Sequence, residues 1–175
     1  DLISPRRVGN SDLYVTPLGF GGGTIGSPDV PTNTSLHTVI AAWDSGVRFF
    51  DTAPWYGLGR SERRLGLALA GIDDRERYCI NTKVGKSLVP EPQRDEGKRT
   101  LSPGGQVRTP RDPITGFRVE FDYTYQRIQS QHHESLQRLG HSRVDSLTIH
   151  DIDYGYHPPR QIEEHLEEQI GRAHV

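Results

Sequence analysis

Short β-forming runs alternate with helical patterns along most of the 175-residue chain. In the helical patterns, apolar residues recur at the three- and four-residue spacing of an amphipathic helix. Strands that alternate with crossover helices form βαβ units with a parallel sheet, so the predicted fold class is α/β. The predicted strands are Thr16–Gly21, Val47–Asp51, Tyr78–Lys83 and Val144–Ile149.

Caps and glycines predict where the helices begin and end. Asn33 or Thr34 is the candidate N-cap of the first helix, and Ser61 is the candidate N-cap of the second. The predicted helices run from Thr34 to Gly46, from Ser61 to Gly71, from Tyr125 to Gly140 and from Gln161 to about Gln169.

Residues 86–120 interrupt this alternation. Their prolines, mixed charges and near absence of apolar periodicity predict a long loop, which is either a functional lid or a disordered insertion. The cations in this loop are either solvated or in contact with a cofactor phosphate; they are Lys98, Arg99, Arg108 and Arg111.

Three ionisable residues, Asp51, Lys83 and His150, occupy corresponding places at the ends of predicted strands. Because the carboxyl ends of parallel strands meet at one edge of a sheet, where α/β folds place their active sites, we expect these side chains to lie together. Tyr56 follows Asp51 in a loop that can fold back over the same edge.

The chemistry of these four side chains predicts a different role for each of them. Free tyrosine is a poor proton donor or acceptor at neutral pH, but a nearby lysine ammonium stabilises its phenolate. A carboxylate keeps such a lysine charged and oriented, and a histidine can hydrogen-bond a substrate oxygen. The set predicts proton transfer coupled to hydride transfer at a carbonyl, with a nicotinamide as hydride carrier.

Several segments resemble the signature of the aldo-keto reductase family, and the resemblance extends from Arg6 to Gln169. It implies a (β/α)₈ TIM barrel, of which this chain would be the N-terminal half with about four βα units, because such barrels need about 250 residues. The segments that carry the resemblance are Gly46–Ala53, Tyr56–Gly57, Ser61–Gly66, Asn81–Lys83 and Leu147–His150.

The resemblance also implies roles for individual residues. Tyr56 would be the general acid/base, Asp51 and Lys83 would tune it, and His150 would orient the substrate carbonyl. The cofactor would be NADP or NAD, and the substrate a small molecule. The implied catalytic residues are Asp51, Tyr56, Lys83 and His150, the implied cofactor contacts are Gly22, Gly23, Thr24 and Asp51, and the implied substrate contacts are Trp55, Tyr56 and His150.

Two of these assignments have alternatives. Gly21–Gly26 satisfies G-x-G-x-x-G, but no helix follows it directly, so a Rossmann site is not predicted. The segment is either a tight turn after the first strand or a backbone that lets the cofactor approach closely. Trp55 is either a core residue or a wall for the apolar face of a sugar.

Within the family, segments 121–123, 134–140 and 150–157 are similar to the D-threo-aldose 1-dehydrogenase group, which includes L-fucose and galactose dehydrogenases. This similarity implies oxidation of an aldose at its anomeric carbon to a lactone, with Tyr56 taking the C1 hydroxyl proton. Two alternatives stay open: a non-catalytic cofactor-binding or regulatory subunit on the same fold, and a general aldehyde or ketone reductase.

Composition limits the partners and the compartment. A formal net charge of −2 gives no general attraction to nucleic acid or to an anionic membrane, and no apolar run is long enough to span a bilayer. The single Cys79 excludes an intramolecular disulfide. We expect a soluble, cytoplasmic protein, with no prediction of its oligomeric state. We expect no metal site, because His150, Asp151, Asp153 and His157 lack the spacing of a zinc-binding helix.

The ends of the sequence lead to further expectations. The chain contains no methionine, which predicts that its beginning is missing. Residues 1–169 are assigned to the half-barrel. Residues 170–175 are predicted to be a non-native tail, because IGRAHV back-translates to a sequence that looks like a sequencing-adapter read. We expect this fragment to bind NADP or NAD poorly and to be inactive by itself.

Overall fold

The structure is a computed structural model that describes residues 3–90, 115–152 and 157–170. The strands are β1 (Arg6–Arg7), β2 (Tyr14–Val15), β3 (Phe20–Gly21), β4 (Phe49–Asp51), β5 (Cys79–Val84), β6 (Lys86–Pro90), β7 (Phe117–Phe121) and β8 (Ser146–Ile149). The helices are α1 (Thr32–Asp44), α2 (Arg60–Leu69), α3 (Tyr125–Leu139) and α4 (Pro159–Ile170), with 3₁₀ turns at Thr24–Gly26 and Arg75–Arg77.

The central sheet contains β3, β4, β5 and β8 in that order, and every neighbouring pair is parallel. Helices α1, α2 and α3 make the three crossovers. Successive strands therefore lie side by side, without the reversal of order that marks a doubly wound sheet. This is the order of a βα barrel, so the predicted α/β class and its four βα units are confirmed.

The core lies between this sheet and the helices. Phe50 of β4 is opposite Ile80 of β5, and both are fully buried against Val39 of α1 and Leu65 and Leu69 of α2. Because side chains alternate along a strand, the residues next to Phe50 and Ile80 face the other side of the sheet. Asp51 and Asn81 therefore lie on the face away from the helices.

A buried ion pair connects α2, α3 and β5. Glu62 of α2 is fully buried, pairs with Arg138 of α3 and accepts a hydrogen bond from Thr82 Oγ1 at 2.8 Å. The two helices are also close at their backbones, because a Cβ added at Gly66 would lie 1.9 Å from the carbonyl oxygen of Leu139. These contacts hold β5 in a fixed position relative to the helix layer.

Several predicted element boundaries differ in the structure, three of them for identifiable reasons. The first strand is limited to β3, because Thr16 Oγ1 donates to the carbonyl of Leu18 and accepts from the backbone N–H of Arg48, which turns the chain before β3. Helix α1 begins after Pro31, whose fixed φ suits a helix start without a side-chain cap. Helix α2 begins after Gly59, which has a φ of +84°.

The predicted loop 86–120 is wrong at both of its ends. Strands β6 and β7 pair there as an antiparallel hairpin, with Lys86 opposite Phe121, and Leu88 and Val119 are buried. Each strand shows only a short alternation of side chains, and the prolines and charged residues between the two strands make this alternation hard to recognise in the sequence. Residues 91–114, which include the loop cations, lie outside the described residues, as do residues 171–175 of the predicted tail.

Candidate active site

Asp51, Lys83 and His150 lie at neighbouring strand ends, as predicted. Asp51 is the last residue of β4, Lys83 is one residue from the end of β5, and His150 directly follows β8. The register places Asn81 opposite Asp51 and Lys83 opposite Thr148. Because these strands are parallel and adjacent, all three ionisable side chains belong to the same edge of the sheet.

The Lys83 ammonium is held by three oxygen atoms. Its Nζ donates to Oδ1 and Oδ2 of Asp51 at 2.6 and 2.7 Å, and to the carbonyl of Thr52 at 3.0 Å. An ammonium group has three donors, so these contacts orient the lysine completely. The Asp51–Lys83 pair is therefore a rigid, charged feature at the centre of the site.

Asn81 is a site residue that the sequence analysis did not single out. Its Nδ2 donates to Asp51 Oδ1 at 2.7 Å, while its Oδ1 accepts from Ser146 Oγ at 2.7 Å and Thr148 Oγ1 at 3.2 Å. Asn81 thus connects β4, β5 and β8 on the polar face of the sheet. The signal available in the sequence was its position, two residues before Lys83 and hence on the same face of the strand.

Tyr56 is half-buried in the loop after β4 and packs beside both Lys83 and His150. The Lys83 Nζ lies 4.8 Å from the centroid of the Tyr56 ring, and the Tyr56 and His150 ring centroids are 5.8 Å apart with an interplanar angle of 84°. Two glycines position this loop, since a Cβ on Gly57 would lie 1.7 Å from the Gly26 carbonyl oxygen. The structure therefore brings all four predicted residues together.

His150 is 7% exposed and uncharged at neutral pH. Burial is the main cause that lowers its pKa to about 4, and the positive charge of Lys86 lowers it further. The carboxylate of Asp151 acts in the opposite direction. Nδ1 of His150 is buried and has no hydrogen-bond partner among the residues that the structure describes.

Lys86 and Asp151 form a second ion pair beside His150, which the sequence analysis also missed. The Lys86 Nζ lies 4.2 Å from the centroid of the Trp55 ring. Trp55 is half-buried. It therefore lines the edge of the site beside the catalytic candidates instead of lying in the core.

The predicted cofactor contacts differ in their surroundings. Gly22 is buried, its N–H donates to the carbonyl of Asp51 at 2.7 Å, and its own carbonyl accepts from Ser61 Oγ at 2.7 Å. Ser61, the predicted N-cap of α2, thus binds the residue after β3 instead of capping the helix. Gly23 and Thr24 are exposed, and among the described residues, apart from the chain neighbours of Gly23, no atom lies within 4 Å of a Cβ added at Gly23.

Of the histidines and aspartates considered for a metal, Asp153 lies outside the described residues. The Nε2 of His157 is 3.1 Å from the Tyr123 hydroxyl, which also donates to the His150 carbonyl at 2.8 Å. Within residues 3–90, 115–152 and 157–170, no three histidine, cysteine or acidic side chains form a group that could hold a metal ion. In the same ranges, no helix is both long and apolar enough to cross a membrane.

The parallel βα sheet, with Asp51, Tyr56, Lys83 and His150 clustered at one edge, defines a βα-barrel protein with a polar site at its strand ends, and comparison with known proteins agrees with this class. The sequence profile described as "Aldo/keto reductase family" matches residues 17–171. The chain therefore belongs to the aldo/keto reductase family. The expected barrel fold of that family is confirmed as well.

Two curated relatives are dehydrogenases. Pyridoxal 4-dehydrogenase from Microbacterium luteolum is 37% identical over 164 residues, which cover 89% of this chain and 45% of that protein. D-threo-aldose 1-dehydrogenase from a Pseudomonas species is 37% identical over 141 residues, which cover 79% of this chain and 41% of that protein. The chain thus spans somewhat less than half the length of these relatives.

A solved structure shows the same fold. The glycerol dehydrogenase from Gluconobacter oxydans is 26% identical and superposes with a TM-score of 0.61. The alignment covers 96% of this chain and 46% of that chain. The fold similarity therefore includes nearly all of this chain.

Proposed function

We propose that the protein containing this chain is an NAD(P)-dependent dehydrogenase that oxidises an aldose at C1 to a lactone. The observation that carries the proposal is the convergence of Tyr56, Lys83, Asp51 and His150 at one edge of the sheet. The similarity to two dehydrogenases, one of them named for an aldose, supports the reaction class. The proposal concerns the whole protein, because the chain spans less than half of these relatives.

The residues at the end of β3 fit a nicotinamide cofactor. Gly23 and Thr24 are exposed, and the space beside Gly23 is open, so a ligand can approach the backbone there. Gly22 is joined by a hydrogen bond to Asp51, which places this backbone next to the ion pair. We assign the cofactor contacts to Gly22, Gly23, Thr24 and Asp51. When bound, NADP or NAD supplies the acceptor for the hydride from C1.

Tyr56 is assigned as the general base in the oxidative direction and as the general acid in reverse. The C1–H bond breaks with its electron pair going to the acceptor, the O–H bond breaks with its proton going to the Tyr56 phenolate, and the C1=O bond forms. The charged Lys83 side chain lies beside this tyrosine, with its Nζ 4.8 Å from the centroid of the ring. Asp51 and Asn81 keep the lysine oriented.

His150 is assigned to orient the substrate. A neutral imidazole carries one N–H, which can donate a hydrogen bond to the oxygen on C1 without adding a positive charge beside Lys83. The half-buried Trp55 ring next to His150 can support the apolar face of a sugar ring. Together these two side chains would hold C1 in reach of Tyr56.

The proposal is tested by assaying the whole protein, as its gene encodes it, with a panel of substrates. L-fucose, D-arabinose and D-galactose are each offered with NAD and with NADP, and reduced nicotinamide is followed by its absorbance. We expect turnover of at least one sugar and a lactone as product. Turnover of aldehydes or ketones alone would refute the aldose assignment, and no turnover of any substrate would favour a non-catalytic role.

The sharpest variant is Tyr56→Phe, which removes only the hydroxyl that accepts the proton. We expect kcat to fall by about 10²–10⁴-fold, the usual contribution of a general acid or base, with little change in Tm. Tyr14→Phe is the matched control, because Tyr14 is exposed on β2. Full activity of Tyr56→Phe would contradict the proposal.

A further inference from the structure

Lys86 is an unusual residue to find buried. Its side chain is 1% exposed, and its ammonium lies above the Trp55 ring at 4.2 Å and the Phe121 ring at 5.2 Å. Burying a charge is costly unless it is paired, and Lys86 is paired with Asp151. The Lys86–Asp151 pair is therefore part of the packed structure of the site, and it connects hairpin β6–β7 with the segment after β8.

Asp151 lies between the charged Lys86 and the neutral His150. It follows His150 directly and has a φ of +51°, a left-handed conformation that non-glycine residues rarely adopt. Its Oδ2 binds Lys86 and lies 3.6 Å from His150 Nε2, which is beyond hydrogen-bond length. Lys86 and His150 thus compete for one carboxylate oxygen, and Lys86 holds it.

We propose that Lys86 is a positioning residue for His150: by binding the Asp151 carboxylate, it prevents that carboxylate from pairing with the imidazole and keeps the Nε2 edge of His150 available to the substrate. The first part of this inference stands on the contacts around Asp151. The last part, contact with substrate, rests on the proposed function.

The charges around His150 determine what loss of Lys86 does. The ionisable groups that face His150 are Lys86 on β6, Asp151 after β8, Lys83 on β5, Asp51 on β4 and Tyr56 in the loop after β4. The two lysines lower the pKa of His150 and the two aspartates raise it. Removing Lys86 removes a lowering charge and also releases the carboxylate of Asp151. Both changes favour an imidazolium paired with Asp151.

The test is Lys86→Met, with the pKa of His150 measured by NMR in protein labelled at histidine. The signal is assigned by its loss in His150→Gln. We expect a pKa of about 4 in the wild type and a rise towards the ordinary value of about 6.5 in Lys86→Met. We also expect kcat/KM of Lys86→Met to fall about tenfold one pH unit below the new pKa, and to recover at higher pH.

Three further variants distinguish a positioning role of Lys86 from a general loss of packing around His150. Lys86→Arg keeps the charge and should keep the low pKa. The double variant Lys86→Met with Asp151→Asn should return the pKa towards the wild-type value, because the released carboxylate is gone. Arg138→Met breaks another buried ion pair, with Glu62, and should lower stability without moving the pKa of His150.

An unchanged pKa of His150 in Lys86→Met would overturn the inference. A rise of equal size in Arg138→Met, or in the double variant, would overturn it too, because the effect would then not depend on Asp151. If the pKa moves as expected but no variant or wild-type protein turns over a substrate, the competition for Asp151 is upheld and the proposed function fails. The two outcomes are therefore distinguishable.

Discussion

Gly22 and Gly23 are neighbours in the chain, yet an added side chain would meet different surroundings at the two positions. At Gly22 a Cβ would lie 2.6 Å from the carbonyl oxygen of Asp51 and 2.8 Å from Ser61 Oγ. At Gly23 no atom of a non-adjacent residue in the described part of the chain lies within 4 Å. The protein's own packing therefore explains the first glycine, whereas a ligand would explain the second.

Alanine at the two positions should separate folding from binding. We expect Gly22→Ala to reduce the free energy of unfolding by about 1–3 kcal/mol, since the backbone of Asp51 must move. Gly23→Ala should stay within about 0.5 kcal/mol of wild type but weaken the binding of NADP or NAD. Urea denaturation and cofactor titration measure these effects. Unchanged cofactor affinity in Gly23→Ala would remove Gly23 from the proposed site.

Among the elements, the packing of α2 against α3 limits how β5 is placed. Gly66 allows the two helices to approach so closely that a Cβ would lie 1.9 Å from the Leu139 carbonyl oxygen. The buried Glu62–Arg138 pair crosses the same interface, and Thr82 joins it to β5. The position of Lys83 on β5 thus depends on contacts on the opposite face of the sheet.

Gly66→Ala tests this interface. Alanine in a helix interior is favoured over glycine by about 1 kcal/mol, but the backbone clash costs more, so we expect a net loss of about 2 kcal/mol or more. Gly71→Ala is the control, because a Cβ at Gly71 would meet no non-adjacent residue of the described ranges within 4 Å and the φ of Gly71 is not left-handed. Thermal denaturation compares the two, and equal Tm values for both variants would show that the helices can separate without cost.

For the whole molecule, the buried neutral His150 couples stability to pH. Its pKa is about 4 when folded and about 6.5 when unfolded, so between these values the unfolded chain binds more protons than the native protein. The contribution of His150 to the free energy of unfolding is therefore fully present above about pH 6.5, and it is lost as the pH falls towards 4. The loss has a limiting slope of about 1.4 kcal/mol per pH unit.

His150→Gln should remove this contribution. We expect the free energy of unfolding of the wild type to decline more steeply than that of the variant between pH 6.5 and pH 4, as measured by urea denaturation at each pH. The difference between the two proteins should be constant above pH 7. Parallel pH profiles for both proteins would mean that His150 is protonated normally in the folded state.

The four candidate catalytic residues were predictable because each lies at the end of a recognisable strand or in the loop after one. Lys86 was not, because its strand is followed by a segment rich in proline and charge, so the residue was assigned to a loop. Asn81 was within a quoted motif, but its role depends on Ser146 and Thr148 across the sheet. The antiparallel pairing of β1 with β2, in which Arg6 lies opposite Val15, was missed because two-residue strands are too short to show a periodicity.

The amino-acid sequence by itself determined the alternation of strands and helices, the α/β class and the strand-end positions of Asp51, Lys83 and His150, because periodicity and turn preferences are local properties. Only the tertiary structure decided which charges pair with one another. Lys86 and Asp151 are 65 residues apart in the chain, and their contact depends on how hairpin β6–β7 packs beside β8. Burial and charge at that junction, which no local pattern encodes, decide whether His150 is neutral.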